Sequence, residues 1–387
     1  MKIGIDQIGM ATPAFYLDLI ELAQARGDEP EKYTIGIGQD QQAVAPSSQD
    51  IVTLGASAAN FLSATDREQI GLIVVGTETG IDASKASALY IHDLLELSPW
   101  CRALEIKEAC YGGTAALMMA RDFIAAHPQQ KALVIAADIA RYGLASGGEV
   151  TQGAGAVAML VSTSPRLLAL QDDSVVKSGS IMDFWRPQYT DLALAKGKYS
   201  TEQYLAFFQA TWTRYQVETG LDLNDFAALC FHLPYTKMGL KALRTALPAV
   251  DEAKQAALKA HFEASCQYSR RIGNLYTGSL YLGLLSMLEL DGHLQAGDRI
   301  GLFSYGSGAV GEFFSAELQP GFEQQLHAVA HQHLLDSRQR LAVAEYEAVF
   351  TDKVPYGPKD YQANSKYFAG PFVLTGVTDQ ERQYQRL

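Results

Sequence analysis

The segment Glu105-Ile-Lys-Glu-Ala-Cys110-Tyr-Gly-Gly-Thr114 decides the fold, because it joins an apolar run to a helical pattern of small residues at 115–126. A strand that turns directly into a helix would place the Cys110 thiol at the helix N-terminus. Backbone N–H groups and partial positive charge there stabilise a thiolate and lower the thiol pKa. The two glycines that follow would let a ligand approach the backbone. The pattern fits a nucleophilic cysteine, and it also fits a buried cysteine at the start of a core helix.

Strand-like and helical patterns alternate along the chain. Apolar runs typical of strands occupy Ile70–Gly76 and Leu133–Ala137, and helical periodicity occupies Asp50–Leu62, Lys85–Leu95 and Thr114–Ala126. The alternation returns later, with strands at Ala227–Phe231 and Arg299–Tyr305 and helices at Tyr204–Val217, Lys237–Ala246 and Asp251–Ser265. This rhythm predicts an α/β fold built on a buried, mainly parallel sheet.

A short pattern repeated in the two parts of the chain connects them. The sequence G-x-G-A-V occurs at 153–157 and again at 306–310. Two related halves would explain the repeat, and so would two unrelated glycine-rich turns. Neither copy lies between a strand and a helix, so neither is a dinucleotide-binding fingerprint. We place the boundary at Ser164-Pro165, which gives halves of residues 1–164 and 165–387.

Length and composition indicate a globular protein of one large or two smaller units. The chain has 387 residues, of which 48% are hydrophobic and 19% are charged. Its 31 basic and 43 acidic residues give a formal net charge of -12. So acidic a protein is a poor general ligand for nucleic acid or for an anionic membrane, and we expect neither partner.

The cysteines and the N-terminus indicate a cytoplasmic protein without disulfides. Cys101, Cys110, Cys230 and Cys266 form no C-x-x-C pair and have no zinc-ligand spacing, as expected for reduced thiols. Asp6 interrupts the apolar core that a signal peptide needs, and no apolar run reaches the length of a membrane span.

A carboxylate follows one of the predicted strands. In Val74-Val-Gly-Thr-Glu78-Thr-Gly80 the acid stands at a strand end, where side chains of α/β folds point into ligand crevices. A partly desolvated Glu78 would have a raised pKa and could act as general base and acid, although a solvated loop acid fits the same pattern. Glu108 is the rival carboxylate, but strand alternation points it away from Cys110.

A histidine ends another predicted strand. His232 follows the apolar residues at 227–231 and precedes a proline by two positions. Its imidazole could donate a hydrogen bond to a substrate carbonyl, although a core histidine fits as well. Lys237 and Lys241, one helical turn apart, would share a face suited either to phosphate groups or to solvent.

Three histidines near the C-terminus raise the question of a metal site. His327 and His331 are four residues apart, and His333 follows them. Because no acid stands at ligand spacing, we predict a surface helix here and no metal site.

Two further segments carry polar groups suited to ligand binding. Asn274, at a predicted helix start, could cap the helix or donate its amide to a ligand oxygen. Glycines on both sides of Ser307 permit a tight turn, whose backbone N–H could join that of Cys110 in an oxyanion hole.

The combination of these segments resembles the hydroxymethylglutaryl-CoA synthase family of the bacterial type. The matching stretches are YTIGIGQDQ at 33–41, VGTETGIDASK at 75–85, EACYGG at 108–113, HLPYTK at 232–237, GNLYTGSL at 273–280 and FSYGSG at 303–308. They extend over the chain from Met1 to about Ser315. Cysteine, histidine and asparagine alone would also fit the ketoacyl-carrier-protein synthase III relatives, from which Glu78 and the HLPYTK run separate this chain.

The resemblance implies a thiolase-like fold, with two pseudo-repeated halves in a five-layered α-β-α-β-α arrangement, and a homodimer. It implies the condensation of acetyl-CoA with acetoacetyl-CoA and water to hydroxymethylglutaryl-CoA and CoA, in the mevalonate route to isoprenoids. Thioester exchange, proton abstraction from a methyl group and oxyanion stabilisation account for this chemistry, so we expect no metal or redox cofactor.

The resemblance also implies a role for each site residue. Cys110 carries the acetyl group as a thioester, and Glu78 removes a proton from its methyl group and later returns one to the new hydroxyl. His232 and Asn274 hold acetoacetyl-CoA, while the backbone at Cys110 and Ser307 cradles the acyl oxygen. Other residues that match substrate-contacting, tunnel-rim or supporting positions of the family are Glu29, Pro30, Thr151, Ser200, Lys237, Lys241, Tyr142 and Asp183.

Three other functions compete with this one. An enzyme that condenses carrier-protein-bound acyl groups in polyketide β-branching would use the same catalytic residues, although the lysine pair favours free CoA. A catalytically silent CoA-binding subunit would have lost Cys110 or Glu78, and both are present. A degradative thiolase would need a second catalytic cysteine near the C-terminus, and the last cysteine is Cys266.

Overall fold

The computed structural model describes residues 1–387. Its strands are β1 Ile3–Ala11, β2 Phe15–Asp18, β3 Gln41–Val44, β4 Ile70–Gly76, β5 Arg102–Ile106, β6 Lys131–Ala140, β7 Gly153–Thr163, β8 Leu168–Leu170, β9 Val175–Ser178, β10 Phe184–Trp185, β11 Leu194–Ala195, β12 Ala228–Phe231, β13 Arg299–Gly306, β14 Val310–Leu318, β15 Gln339–Leu341, β16 Tyr361–Gln362, β17 Phe372–Thr378 and β18 Glu381–Arg386. Its α-helices are α1 Leu19–Arg26, α2 Ile51–Ala58, α3 Ala64–Gln69, α4 Ser87–Leu94, α5 Gly112–Ala126, α6 Gly197–Thr219, α7 Thr236–Ala246, α8 Glu252–Ile272, α9 Ser279–Leu290, α10 Ala328–Asp336 and α11 Val343–Thr351.

A ten-stranded sheet forms the centre of the molecule. Nine of its strands follow the order β12-β13-β14-β8-β1-β7-β6-β4-β5, and β9 pairs with β14. The order is symmetrical about the β8–β1 pair: β1, β7, β6 and β4 on one side correspond to β8, β14, β13 and β12 on the other. Both G-x-G-A-V stretches lie where an antiparallel pair begins, β6–β7 in one half and β13–β14 in the other.

The expectation of a mainly parallel sheet is wrong. Parallel pairing is confined to β4 with β5 and β6, and to β12 with β13, where helices supply the crossovers. The central pairs β1–β7, β6–β7, β1–β8, β14–β8 and β13–β14 are antiparallel. Antiparallel neighbours need only a turn between them, and the β13–β14 turn is three residues long. The apolar runs identified buried strands but carried no information about their direction.

The predicted helices are all present, with shifted ends. The helix predicted at Asp50–Leu62 stops at Ala58, and its N-cap Asp50 accepts hydrogen bonds from the N–H groups of residues 52 and 53. Asp251 caps the long helix α8 through the N–H of residue 254, and this helix continues to Ile272, beyond the predicted end. Such capping satisfies the first backbone donors of a helix and fixes where it begins.

Helices cover both faces of the central sheet, and one of them is deeply buried. Helix α5 packs on β4 and β6, and α9 is buried along most of its length between α8 and the sheet. The C-terminal segment returns to the N-terminal half, since β15 pairs with β2 and β17 packs against α2. No helix has both the length and the apolar character required to cross a membrane.

Candidate active site

The Cys110 turn has the predicted strand-to-helix form. Strand β5 ends at Ile106 and α5 begins at Gly112, so the cysteine lies two residues before the helix. The turn is crowded: a Cβ atom on Gly76 would lie 2.5 Å from the Gly112 carbonyl carbon, and one on Gly113 would lie 2.6 Å from the Thr277 carbonyl oxygen. Only glycine permits this close approach of β4, α5 and the segment after α8.

Glu78 meets the cysteine at the end of the neighbouring strand. It lies two residues after β4, and the Cys110 Sγ donates a hydrogen bond to its Oε1 at 3.3 Å. Burial raises the pKa of the Glu78 carboxyl to about 8, with a further contribution from the negative charge of Asp138. A carboxyl with this pKa can exchange a proton near neutral pH, so the half-buried Glu78 is suited to act as general base and acid.

The pKa of the Cys110 thiol is raised well above its usual value, so the expectation that it would be lowered is wrong. Burial is the largest cause, and the Glu78 carboxylate beside the sulfur is the next. A helix N-terminus contributes about 0.3–1 kcal/mol to a nearby anion, which is too little to outweigh both effects. The free enzyme therefore holds Cys110 as a thiol that is hydrogen-bonded to Glu78.

Asp138 organises this part of the site, and the sequence interpretation missed it. Its buried carboxylate accepts hydrogen bonds from Thr77 Oγ1 at 3.0 Å, Glu78 N at 2.9 Å and Thr79 Oγ1 at 2.6 Å. Its second oxygen accepts from Thr277 N at 3.1 Å and Thr277 Oγ1 at 2.6 Å. One side chain thus joins the Glu78 segment to the segment after α8. The available signal was an acid directly after the apolar run at 133–137.

His232 lies at the end of β12 and is 2% exposed. Its backbone N–H donates to the Phe303 carbonyl at 2.8 Å, and its carbonyl accepts from the Tyr204 hydroxyl at 2.8 Å. The ring nitrogen Nδ1 is buried without a hydrogen-bond partner. Burial lowers the pKa of the imidazole to about 3, so the ring is neutral near pH 7. A neutral ring with a free polar atom can donate to or accept from a bound ligand.

The side chain of Asn274 is fixed by hydrogen bonds at both ends of its amide. Its Oδ1 accepts from Tyr276 N at 2.8 Å and Ser279 Oγ at 2.9 Å, just before the short 3-10 turn that precedes α9. Its Nδ2 donates to the Tyr142 hydroxyl at 3.3 Å. The backbone N–H of Asn274 donates to the Thr151 carbonyl at 3.3 Å, so Thr151 and Tyr142 both adjoin this amide. Because two donors fix the Asn274 Oδ1, the orientation of the amide nitrogen Nδ2 is fixed as well.

The Ser307 turn contacts the Cys110 turn from the opposite half of the sheet. A Cβ atom on Gly306 would lie 2.6 Å from the Glu108 carbonyl oxygen and 2.6 Å from the Tyr111 N–H nitrogen. Asp183 anchors the same turn, because its carboxylate accepts from Gly308 N at 3.1 Å. The remaining donors to Asp183 are Tyr305 Oη at 2.9 Å and Ser200 Oγ at 3.2 Å.

The residues predicted at a tunnel rim lie on two adjoining segments. Thr236 at the start of α7 donates its hydroxyl to the Gly38 carbonyl at 2.7 Å, which joins α7 to the π-helical segment Lys32–Ile37. Glu29 and Pro30 immediately precede that segment. Lys237 and Lys241 lie on α7, with the Lys241 Nζ 3.1 Å from the Tyr235 hydroxyl. The fold therefore brings the start of α7, with Lys237, beside the segment that Glu29 and Pro30 precede.

The prediction of a surface helix for the C-terminal histidines is wrong at His331. This ring is 7% exposed, and its Nδ1 lies 2.8 Å from the buried Glu289 Oε1. The acid comes from α9, distant in sequence, so spacing could not reveal it. No group of three or more histidine, cysteine or acidic side chains is arranged to hold a metal ion.

Comparisons with known proteins extend over nearly the whole chain. The family models described as hydroxymethylglutaryl-coenzyme A synthase N terminal and C terminal match residues 1–165 and 244–386. The hydroxymethylglutaryl-CoA synthase of Enterococcus faecalis is 53% identical over 353 residues, covering 91% of this chain and 92% of that protein. A Bacillus subtilis 3-hydroxy-3-methylglutaryl-ACP synthase of polyketide biosynthesis is 32% identical, covering 95% and 93%.

A solved structure matches the fold equally completely. The crystal structure of a hydroxymethylglutaryl-CoA synthase complexed with CoA has a TM-score of 0.98 and 44% identity, and the match covers 100% of both chains. The thiolase-like α/β fold expected from the sequence is thereby confirmed.

Proposed function

The chain belongs to the hydroxymethylglutaryl-CoA synthase family, and we propose that Cys110, Glu78 and His232 perform its condensation of acetyl-CoA with acetoacetyl-CoA and water. The product is hydroxymethylglutaryl-CoA, with free CoA released, which makes the protein an acyltransferase. This activity is consistent with the mevalonate route to isoprenoids. The observation that supports the residue roles best is the 3.3 Å contact between the Cys110 Sγ and the Glu78 Oε1.

The first step is transfer of the acetyl group to Cys110. The sulfur attacks the acetyl-CoA carbonyl, the bond between that carbonyl and the CoA sulfur breaks, and CoA leaves as a thiol. The proton that the Cys110 thiol loses ends on the departing CoA sulfur, so Glu78, 3.3 Å from the Cys110 sulfur, remains free to act as a base in the next step. Backbone N–H groups at Cys110 and Ser307, on two turns in contact, would hold the acyl oxygen.

The second step forms the carbon–carbon bond. Glu78 removes a proton from the acetyl methyl group, and the resulting carbanion attacks the ketone carbon of acetoacetyl-CoA. The neutral His232 and the oriented amide of Asn274 polarise the acetoacetyl carbonyls. Glu78, with a pKa of about 8, then returns the proton to the new alkoxide. A base whose pKa lies near the working pH can serve in both directions.

The CoA groups would enter at the edge formed by α7 and the Lys32–Ile37 segment. Lys237 and Lys241 supply positive charge there in a chain of net charge -12, which suits the phosphates of CoA. We favour free CoA over a carrier protein as the substrate carrier, because the CoA-dependent relative is 53% identical and the carrier-protein-dependent one is 32% identical.

We also propose a homodimer that acts in the cytoplasm. Strand β5 is the last strand of the central sheet, so its outer edge lacks a neighbour. Trp100 beside it is 88% exposed and Leu104 is 36% exposed. An open edge with apolar side chains is a natural place for a second copy. Four free cysteines suit a reducing compartment. Sedimentation of the wild type and of Leu104→Lys would test the dimer, which the variant should weaken.

Intact-protein mass after mixing with acetyl-CoA tests the residue assignment. We expect one acetyl group per chain, mapped to the peptide that contains Cys110, and none on Cys110→Ser. Cys101→Ser is the matched control, because Cys101 is another half-buried free cysteine, and it should acetylate as the wild type does. Acetylation that persists in Cys110→Ser would overturn the assignment.

A further inference from the structure

The product of the proposed reaction differs from both substrates by one charge. In the last step water attacks the thioester carbonyl on Cys110 and the carbon–sulfur bond breaks. One proton of the water goes to the Cys110 sulfur, and the new carboxyl group releases the other to solvent and becomes a carboxylate. Neither acetyl-CoA nor acetoacetyl-CoA carries a carboxylate. This new anion forms beside Glu78, near Asp138 and Asp183, whose charges all act on the Cys110 sulfur. Like charges repel, so a nearby cation would stabilise the product.

Arg186 lies in a segment that adjoins the residues of the site. Asp183 anchors the segment, and the Phe184 ring packs against Tyr142 and Tyr276, with ring centroids 6.0 and 5.7 Å apart. Arg186 follows Phe184 by two residues, so this segment brings Arg186 close to the residues of the site.

The guanidinium of Arg186 has no carboxylate partner in the structure. The side chain is half-buried and takes part in none of the ion pairs of the chain. Its positive charge nevertheless acts on Glu78, where it opposes the rise in the pKa of that carboxyl, and on Tyr276. A half-buried arginine without a carboxylate partner, whose charge acts on the catalytic carboxyl, is suited to an anion that arrives during the reaction.

We propose that Arg186 binds the carboxylate of hydroxymethylglutaryl-CoA as that carboxylate forms at Cys110. The inference rests on the proposed function and adds a product-specific contact to it. The planar guanidinium can meet a carboxylate with two parallel hydrogen bonds, which acetoacetyl-CoA cannot accept at that position. Arg186 thereby distinguishes the product from the substrates, although all three share the CoA moiety.

Calorimetric binding measurements on Arg186→Gln test the proposal, and the Cys110→Ser background prevents turnover. Three thioesters serve as ligands. They are hydroxymethylglutaryl-CoA, acetoacetyl-CoA and 3-hydroxy-3-methylpentanoyl-CoA, in which a methyl group replaces the carboxylate. We expect hydroxymethylglutaryl-CoA alone to bind about 10- to 100-fold more weakly, the loss typical of a charge-assisted contact. Arg186→Lys keeps the charge but not the paired geometry, and should show a smaller selective loss.

Arg214→Gln is the matched control, since Arg214 is exposed on α6 and pairs with Glu218 at 2.6 Å. It removes the same charge and should leave all three affinities unchanged. Equal weakening of all three esters by Arg186→Gln, or no weakening of any, would overturn the proposal. A different result would refute the proposed function: the wild-type enzyme would make no hydroxymethylglutaryl-CoA from acetyl-CoA and acetoacetyl-CoA.

Discussion

Replacing Asp138 by asparagine should both destabilise the fold and move the pH dependence of catalysis. The carboxylate accepts five hydrogen bonds, three at one oxygen and two at the other. An amide keeps only one acceptor oxygen. If that oxygen takes the place with three donors, the amide NH₂ faces the Thr277 N–H, which then has no partner. The Thr277 hydroxyl retains an alternative acceptor, the Gly76 carbonyl at 3.0 Å.

The size of the effect follows from these contacts. Leaving one buried N–H unpaired costs about 1–3 kcal/mol, and three charge-assisted hydrogen bonds become weaker neutral ones. Removing a buried charge offsets part of that loss. We expect the free energy of unfolding to fall by about 2–5 kcal/mol, which is large for a single substitution. Urea denaturation measures it, with an unchanged m-value indicating the same two folded and unfolded states.

The pH dependence of catalysis should shift toward lower pH in Asp138→Asn. Asp138 is the second cause of the raised pKa of Glu78, after burial, so removing its charge lowers that pKa. The wild-type kcat/KM for condensation should rise with pH until about 8, as Glu78 loses its proton and becomes a base. In Asp138→Asn the same rise should end at lower pH.

A surface carboxylate supplies the control. Asp122 is exposed on α5 and pairs with the adjacent Arg121 at 3.2 Å, so Asp122→Asn should change stability by less than about 0.5 kcal/mol and leave the pH profile alone. If Asp138→Asn were as stable as Asp122→Asn, with its profile unmoved, Asp138 would neither hold the two segments together nor act on Glu78.

Two other predictions concern the lysines on α7 and the effect of Glu78 on the stability of the fold. The double variant Lys237→Ala, Lys241→Ala should raise the KM for acetoacetyl-CoA and leave kcat nearly unchanged, since contacts to phosphate bind ground and transition states alike. Lys359→Ala, at an exposed lysine, is the control and should keep the wild-type KM. If the double variant and the wild type had equal KM values at low salt, these two lysines would not belong to the site. Glu78→Gln should stabilise the fold increasingly as pH rises. The unfolded carboxyl loses its proton near its usual pKa of 4.5 and the folded one near 8, so the wild type loses stability between these values, at about 1.4 kcal/mol per pH unit. Thermal melts at pH 5 and pH 9 measure the difference, and equal gains at both would mean that the Glu78 pKa is not raised.

Much of the site could be predicted because strand ends are visible in the sequence. Cys110, Glu78 and His232 each follow an apolar run, and the parallel neighbours β4 and β5 bring Glu78 and Cys110 to the same edge of the sheet. The segments therefore indicated the elements that carry all three residues, and for Glu78 and Cys110 also that they meet. Sheet direction stayed hidden, because a fully buried strand is apolar whichever way its neighbours run.

What sequence could not give was the environment of each charge. The raised pKa of Cys110 depends on burial and on Glu78, which is 32 residues away in sequence but 3.3 Å away in space. Asp138 is one polar residue after an apolar run, and only the fold shows that five donors converge on it. Arg186 stands in no recognisable pattern. Its significance comes from its charge acting on Glu78, which a distant segment of the chain supplies.

The central claim is that Glu78 serves carbon–carbon bond formation while Cys110 carries the acetyl group, and Glu78→Gln separates the two. The amide keeps the shape of the side chain and removes the base. Because the Glu78 charge is one of the causes that raise the pKa of Cys110, its removal eases thiolate formation. Acetylation should therefore continue.

The direct measurement pairs radiolabelled acetyl-enzyme at short times with condensation product in excess acetoacetyl-CoA, on the wild type and on Glu78→Gln. The account predicts acetyl-enzyme in both proteins and condensation about 100- to 10,000-fold slower in the variant, the range for loss of a general base. Condensation at the wild-type rate would contradict it, and a variant that cannot be acetylated would assign Glu78 to the first step instead.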